Sequence, residues 1–438
     1  PPGTPPPPPA IIPDLEELAQ LEELPTEALA ETIDQAEEQA RLERERGIEA
    51  VAGDSPLVKR VHQLLVLAVD RRASDLHIEP QEDRVVVRFR VDGSLSEVCS
   101  FPLALHPRLT TRLKIMATLV ITEHRVPQDG QFRARIRGQN VEFRVSTLPS
   151  AYGEKIVLRA LSGGSLCPDL AKIGLQPRDL EVVQRTLKSP HGLILVTGPT
   201  GSGKTSTLYS MLAAINRPDI NILTAEDPIE YRLAGITQVQ VRPAIGFKFE
   251  TALRAFLRQD PDVMLVGEIR DLETAEIATK ASITGHLVLS TLHTNSAPAS
   301  VARLVNMGLP PYLISASARL IIAQRLVRRL CPECRVPAPL SQEDRRALTE
   351  REQAEVGGAM RGAGCPRCAS TGFSGRRPVF EVMPMSQELR SALQASQDVD
   401  SLGHVAAREG MVPLRQATLA AVAAGETSLS EAYKVIFS

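Results

Sequence analysis

The sequence predicts an α/β protein with a smaller α+β domain ahead of it, and three observations carry that prediction. From about Leu166, short continuous apolar runs at Leu193–Thr197, Ile220–Thr224, Val263–Val266 and Leu287–Thr291 alternate with helical stretches, as buried parallel strands and their crossovers do. The first run leads into Gly198-Pro-Thr-Gly-Ser-Gly203-Lys204-Thr205, a complete G-x-x-x-x-G-K-[ST] loop, and a helix from Thr205 to Ile215 follows it. Upstream, apolar residues alternate with arginines around an Asp92-Gly93 turn, the signature of an antiparallel sheet.

The 438 residues divide into three parts on this reading. Residues 1–53 are a linker: Pro1–Pro13 is nearly all proline and predicts an extended spacer, and an acidic stretch with Leu15, Leu18, Leu21 and Leu24 at helical spacing follows. That stretch reads as a solvated tether, or as a helix that docks on a partner. Residues 54–165 form the small α+β domain. Leu57, Val61, Leu64, Leu65, Ala68 and Val69 make the stripe of its first helix, and a second helix is expected from about Leu103 to Leu119. Strands are expected where Val85, Val87, Phe89 and Val91 alternate with Arg84, Val86, Arg88 and Arg90. The same alternation recurs through Phe132–Arg137, Val141–Ser146 and Ile156–Arg159. The arginines on one face make an anion-facing surface plausible, although a solvated face explains most of them. Residues 166–438 form the α/β domain, with a cysteine module at 331–372 and helices to the end.

Composition excludes several classes. No apolar run reaches the ~18 residues of a membrane-spanning helix. Six cysteines in a chain of this size do not make a disulfide scaffold; Cys99 and Cys167 stand alone and the other four form two C-x-x-C pairs. The net charge is −2, but 13 acidic and 3 basic residues lie between Asp14 and Ala50, which leaves the remainder at a net +8. That suits anionic ligands without the concentrated basic stripe of a nucleic-acid binder. The chain opens at Pro1 rather than Met, so a fragment is expected, with room upstream for a leader or a further domain.

Glycines in the loop let backbone N–H groups wrap phosphates at a helix N-terminus. Gly198, Pro199, Thr200, Gly201, Ser202, Gly203, Lys204, Thr205 and Ser206 are therefore the candidate nucleotide-binding residues. Lys204 is expected at the β- and γ-phosphates and Thr205 on Mg²⁺. Three more polar segments end apolar runs, where an open α/β sheet binds its ligands. They are Ala225–Glu230, Asp262–Glu268 and Thr284–Thr294, with Glu268 expected on the strand beside the loop. A carboxylate there polarises water or holds metal through water. A histidine there contacts or senses the γ-phosphate.

Cys331-Pro-Glu-Cys334 and Cys365-Pro-Arg-Cys368 offer four thiolates to one tetrahedral Zn²⁺, a closed structural site; a redox dithiol and unused thiols are the other readings. Arg325, Arg328, Arg329 and Arg335 nearby are read as solvated surface or as facing an acidic partner.

These residues together resemble the secretion and type IV pilus-assembly ATPases, hexameric motors of type II secretion systems and pili. The resemblance runs from about Ser55 to Ser438. It rests on Arg72–Pro80, Val126–Gly130, the Gly198–Thr205 loop, the acidic box Glu226–Glu230, Leu265–Asp271, the histidine box Thr284–Thr294 and the four cysteines. It implies a RecA-like P-loop NTPase domain after a PAS-like α+β domain, with ATP, Mg²⁺ and Zn²⁺ as cofactors. Glu268 is implied as the catalytic carboxylate and Glu226 as a supporting one, with His286 and His293 as contacts. Arg144, Arg159, Arg254, Arg258 and Arg270 are implied to approach phosphates; Arg254 and Arg258 share a helix face at i,i+4. It further implies a homo-hexamer, cytoplasmic and peripheral to the inner membrane through platform and adaptor proteins. Retraction motors of the family lack the four cysteines, which favours assembly over retraction.

Gln131 departs from the family's usual Arg, Pro413 and Arg415-Gln416 depart from the usual continuation of Glu409-Gly-Met411, and the family's own N-terminal domain is not seen. A RecA-like nucleic-acid translocase shares the loop, but ten Phe, five Tyr and no Trp leave few stacking platforms. A non-hydrolysing scaffold conflicts with Lys204, Thr205 and Glu268 all being present.

Overall fold

A computed structural model describes residues 56–162, 169–396 and 398–437. The proline-rich and acidic linker and Cys167 lie outside the described residues. The chain divides into two compact units, Pro1–Gly164 and Ser165–Ser438.

The first unit is a six-stranded antiparallel sheet with two helices. Helix α1 (Pro56–Asp70) is followed by β1 (Ala73–Pro80), β2 (Arg84–Val91) and β3 (Ser94–Pro102). Helix α2 (His106–Met116) then leads to β4 (Gln128–Ile136), β5 (Gln139–Ser150) and β6 (Gly153–Ser162). The strand order β3-β2-β1-β6-β5-β4 puts β1 and β6 at the centre. Val61, Leu64, Leu65 and Ala68 of α1 and Leu109 and Leu113 of α2 cover the apolar face, packing on Leu76, Ile78, Val87, Phe89, Phe143, Ile156 and Leu158. The β2–β3 turn falls at Asp92-Gly93 as expected, both residues having positive φ, and Arg137-Gly138 repeats the device between β4 and β5. Val86 is buried on the face assigned to the arginines. β1 is a strand that the sequence reading above does not include.

The second unit holds a seven-stranded sheet of order β15-β12-β7-β11-β10-β8-β9. Its elements are α3 (Pro177–Leu187), β7 (Gly192–Thr197), α4 (Lys204–Ile215), β8 (Ile222–Glu226), β9 (Thr237–Gln240), α5 (Phe249–Phe256), β10 (Val263–Val266), α6 (Leu272–Ile283), β11 (Leu287–Leu292), α7 (Ala297–Asn306), α8 (Pro311–Ser317) and β12 (Ala318–Leu330). After β12 come β13 (Arg335–Pro337), α9 (Gln342–Ala347), α10 (Glu350–Glu355), β14 (Met360–Gly362), β15 (Phe373–Pro384), α11 (Gln387–Ala395), α12 (Val399–Arg408), α13 (Leu414–Ala423) and α14 (Leu429–Ile436). Strands β12, β7, β11, β10, β8 and β9 run parallel, and β15 closes the edge antiparallel to β12. The sheet is apolar on both faces, so β7, β10 and β11 are buried at every position. One core layer includes Leu195, Val266, Leu292, Ile321 and Val301; the other includes Ile194, Val196, Leu208, Met211 and Leu289.

The residues between the cysteine pairs are not a loose loop. Helices α9 and α10 each start with a capping box, at Ser341/Asp344 and Thr349/Glu352. Leu348, Val356 and Ala359 then pack on Leu419, Val422, Leu429 and Ala432 of the C-terminal helices. Arg415, one of the departures from the family pattern, holds Glu352 at 2.6 Å across this contact.

Candidate active site

Because the strands are parallel, their C-terminal ends line up along one edge, and the polar segments gather there. The Gly198–Gly203 loop leaves β7, Glu226 ends β8, Glu268 follows β10, His293 follows β11, and Gln324 lies in β12 just past its pairing with Thr197. The register pairs Leu292 with Thr197 and Val266 with Ser290. The strand beside β7 is β11; β10, which carries Glu268, is one strand further. This corrects the expectation that Glu268 ends the strand next to the loop. A parallel sheet orders its strands by crossover, not by sequence, so the histidine segment intervenes.

The loop is built for close approach. Gly198, Gly201 and Gly203 have φ of 150°, 79° and 87°. A Cβ on Gly198 would stand 2.5 Å from the Gln324 carbonyl oxygen, and one on Gly203 would stand 2.8 Å from Gln324 Nε2. Helix α4 starts at Lys204, so its first N–H groups open toward the loop and favour an anion. Lys204 is 9% exposed and its Nζ donates to the carbonyls of Gly198 at 2.7 Å and Pro199 at 3.1 Å. Burial pushes the ammonium down to about 8, with Glu268 acting against that shift and Arg325 with it. The site thus holds a buried cation whose hydrogen-bond partners here are neutral carbonyls.

Glu268 is held by one cation and one histidine ring nitrogen. Arg270 Nη2 reaches Oε1 at 2.5 Å, and His293 Nε2 lies 3.3 Å from Oε2. Burial and the nearby Lys204 lower the His293 pKa, while Glu268 opposes the shift. Glu226 is 4% exposed and fully engaged: it accepts from Thr224 Oγ1 at 2.5 Å, from Gln238 Nε2 at 3.2 Å, and from Tyr209 Oη. Tyr209 stands on α4, so this carboxylate braces the loop's helix against β8.

The remaining candidates lie elsewhere. His286 sits at the opposite end of β11, where its Nδ1 lies 3.0 Å from the Ala281 carbonyl oxygen. At ~3.3 Å per residue that is roughly 20 Å from His293 along the strand. Arg254, on α5, donates to Glu273 at 2.7 Å. Arg258 falls past the end of α5 at Phe256 and donates to the Arg254 carbonyl at 2.9 Å, so the pair does not extend one helix face as expected.

Arg144 and Arg159 belong to the first unit and face each other across β5 and β6. Strand β1 supplies counter-charge to their sheet face. Asp75 accepts from Arg159 Nε at 2.9 Å and lies 3.7 Å from Arg90 Nε. Glu79 meets Arg88 at 2.6 Å and Lys155 at 2.7 Å. Burial opposes ionisation of Glu79, but those two hydrogen bonds outweigh it and hold the carboxyl down at about 2.

The four cysteines converge. Their Sγ atoms all lie within 4.8 Å of one another. Cys331–Cys365 and Cys334–Cys368 are 3.8 Å apart, and Cys365–Cys368 3.7 Å. A zinc tetrahedron with ~2.3 Å bonds has edges of about 3.8 Å, so the donor set fits that ion. Burial disfavours the Cys368 thiolate, yet N–H groups of Cys365 and Gly372, each 3.2 Å away, bring the thiol down to about 6. Arg325 and Arg328 are not solvated surface: Arg325 is 5% exposed, and Arg328 holds Glu431 at 2.8 Å and lies 3.9 Å over the Phe373 ring.

Fold and site define an α/β protein whose glycine-rich loop and polar groups line the carboxyl edge of a parallel sheet. Residues 50–434 match the family described as Type II/IV secretion system protein, and the chain belongs to that family. It is 47% identical over 385 residues to the type IV pilus assembly ATPase PilB of Myxococcus xanthus, covering 87% of this chain and 68% of that one. It is 45% identical over 381 residues to the type II secretion system protein HxcR of Pseudomonas aeruginosa, covering 87% and 77%. Among solved structures, the pilus retraction motor PilT with bound ADP superposes with a TM-score of 0.58 at 27% identity, over 86% of this chain and 96% of that one.

Proposed function

We propose that this chain is a Mg²⁺-dependent ATP hydrolase that works as a homo-hexameric motor and powers pilin or pseudopilin assembly in type II secretion or type IV pilus extension. The observation that carries the hydrolase reading is the joint placement of Lys204 and Glu268 at one sheet edge, with the relatives' names supplying the machine. Lys204 gives up its two carbonyl partners for the β- and γ-phosphates, and the loop N–H groups take the rest of the charge. Thr205, on the first turn of α4 after the loop, would hold Mg²⁺, which neutralises charge on the phosphates when bound. Glu268 orients and polarises the attacking water, held in place by Arg270 and His293. Glu226 supports the site through Tyr209 and α4 rather than by touching the nucleotide. Arg144 and Arg159 act on a phosphate as the first unit moves or from a neighbouring subunit.

Within the second unit, the nucleotide-binding part is RecA-like; the first unit takes the PAS-like role. Partners are an inner-membrane platform and a cytoplasmic adaptor, and the motor is cytoplasmic and peripheral. Among the described residues no helix is long and apolar enough to cross a membrane.

Glu268→Gln should keep ATP binding while turnover falls by at least roughly a hundredfold. Near-normal turnover in that variant would sink the assignment. The cysteine cluster is proposed as a structural zinc site. Elemental analysis of protein purified without added metal should find one zinc per chain, lost in Cys334→Ser; zinc-free protein with a folded 331–368 segment would contradict it.

A further inference from the structure

Strand β12 joins the phosphate edge to the cysteine module: it passes beside the loop at Gln324 and ends at Leu330, next to Cys331. Two consecutive side chains on it face the two nucleotide-side loops. Gln324 is 2% exposed. Its Nε2 donates to the Ser202 carbonyl at 2.8 Å, and its Oε1 accepts from Thr207 Oγ1 at 2.7 Å. One amide therefore spans from the tip of the phosphate loop to the first turn of α4. Arg325 donates from Nη2 to both the carbonyl and the side-chain oxygen of Asn295, at 3.0 and 3.1 Å. Asn295 follows His293-Thr294, and Thr294 N donates to Thr197 Oγ1 at 3.0 Å, closing the circuit back to the end of β7. Glu381, 4% exposed on β15, faces Ala323 across the strand pair and accepts from the Ala297 and Leu414 backbone N–H groups at 2.7 and 3.0 Å. The first turns of α7 and α13 are thereby tied to the same strand pair.

Such an arrangement is more than packing. Gly203 is pressed by the Gln324 side-chain amide, and Gly198 by the Gln324 backbone carbonyl and the Ser202 hydroxyl. The carbonyls of Gly198 and Pro199 accept from Lys204 and that of Ser202 accepts from Gln324, so three loop carbonyls are tied down by these two side chains. A buried amide with both ends used is a rigid gauge, since its donor and acceptor cannot exchange roles without losing both bonds.

We propose that Gln324 is a positioning residue for the phosphate loop, holding it in the conformation that receives the nucleotide before the nucleotide arrives. Arg325 sets the His293 loop from the same strand. The inference rests on the reading of this loop as an ATP site. Its effect falls on affinity, because a loosened loop must be ordered by the incoming phosphates, and binding is weakened by that cost.

The test uses the full chain with Mg-ATP. Gln324→Met keeps the side-chain volume and removes both hydrogen bonds. It should raise KM, and the dissociation constant of a non-hydrolysable ATP analogue, about tenfold, with kcat kept within about threefold. A purely structural role would lower the folded fraction, and with it kcat, and leave KM alone. Thr207→Val attacks the same contact from α4 and should give a smaller rise in KM, Thr207→Ser should restore it, and the double variant with Gln324→Met should be less than additive. If Gln324→Met does not fold, the Thr207 pair decides the matter alone. Unchanged KM in Thr207→Val and in any folded Gln324 variant overturns the proposal. Wild-type chain that binds the analogue but never hydrolyses ATP would instead fail the hydrolase reading and leave this one standing.

Discussion

The molecule has two sheets rich in cations, and they treat charge in opposite ways. On the polar face of the first unit, Arg88, Lys155 and Arg159 each sit within 3 Å of a carboxylate of β1, with Arg90 facing the same Asp75. At the edge of the second sheet, Lys204 is buried deeper than any of them and its hydrogen bonds go to neutral carbonyls. A paired cation is spent on the fold, and a carboxylate such as Glu79, held down at about 2, shows how strongly. A cation whose hydrogen-bond partners are all neutral pays a desolvation penalty that an incoming polyanion relieves, even with Glu268 acting on it. An anion site is thus marked by unmatched charge, not by the number of arginines.

The comparison also separates the arginines from each other. Arg88 closes on Glu79 with its terminal nitrogen, whereas Arg159 is held by Nε alone and its side chain stays 62% exposed. The second arrangement leaves both terminal nitrogens of an exposed guanidinium for a phosphate, as the proposed function requires. Arg159→Ala should therefore cut ATP turnover by tenfold or more, on the order of 1.4 kcal/mol of barrier, with the fold intact. Arg88→Ala should change turnover by no more than about twofold. Steady-state rates of the two variants, beside their thermal unfolding curves, check this. Equal losses would show that the whole face matters electrostatically. No loss in either would leave the sheet as a structural element.

This contrast marks where sequence reading succeeds. The phosphate loop is legible because its chemistry lies in eight consecutive residues, and the four thiols because their spacing is the ligand geometry. The sheet face is harder to read, because its counter-charge comes from β1. Its signal was present: Leu76 and Ile78 alternate with Asp75, His77 and Glu79 at period two. Once β1 is central, Asp75 falls opposite Arg90 and Arg159, Glu79 reaches Arg88 from off the register, and those arginines are matched. Gln324 was beyond local reading. It sits in a long apolar run with nothing to set its register, and its meaning comes only from β12 lying next to β7, a pairing across more than a hundred residues. The same non-local ordering put β11 between β7 and β10.

The unmatched charge of Lys204 also has a pH signature, smaller than the effect of losing Arg159. Burial sets the free ammonium at about 8, so near pH 7 it is mostly charged and by pH 9 mostly neutral. Bound phosphates favour the charged form and raise its pKa. Between those limits ATP binding must therefore bring a proton with it. The uptake should be small at pH 7 and approach one proton per site near pH 9, where affinity falls by at most tenfold per pH unit. The phosphates themselves are fully ionised in that range and add no proton of their own, while Glu268 is the one carboxylate that acts directly on Lys204. Titration calorimetry at pH 9 in two buffers of different ionisation enthalpy measures the uptake directly. Absence of uptake, with affinity flat from pH 7 to 9.5, would show that Lys204 is already charged across that range before ATP binds.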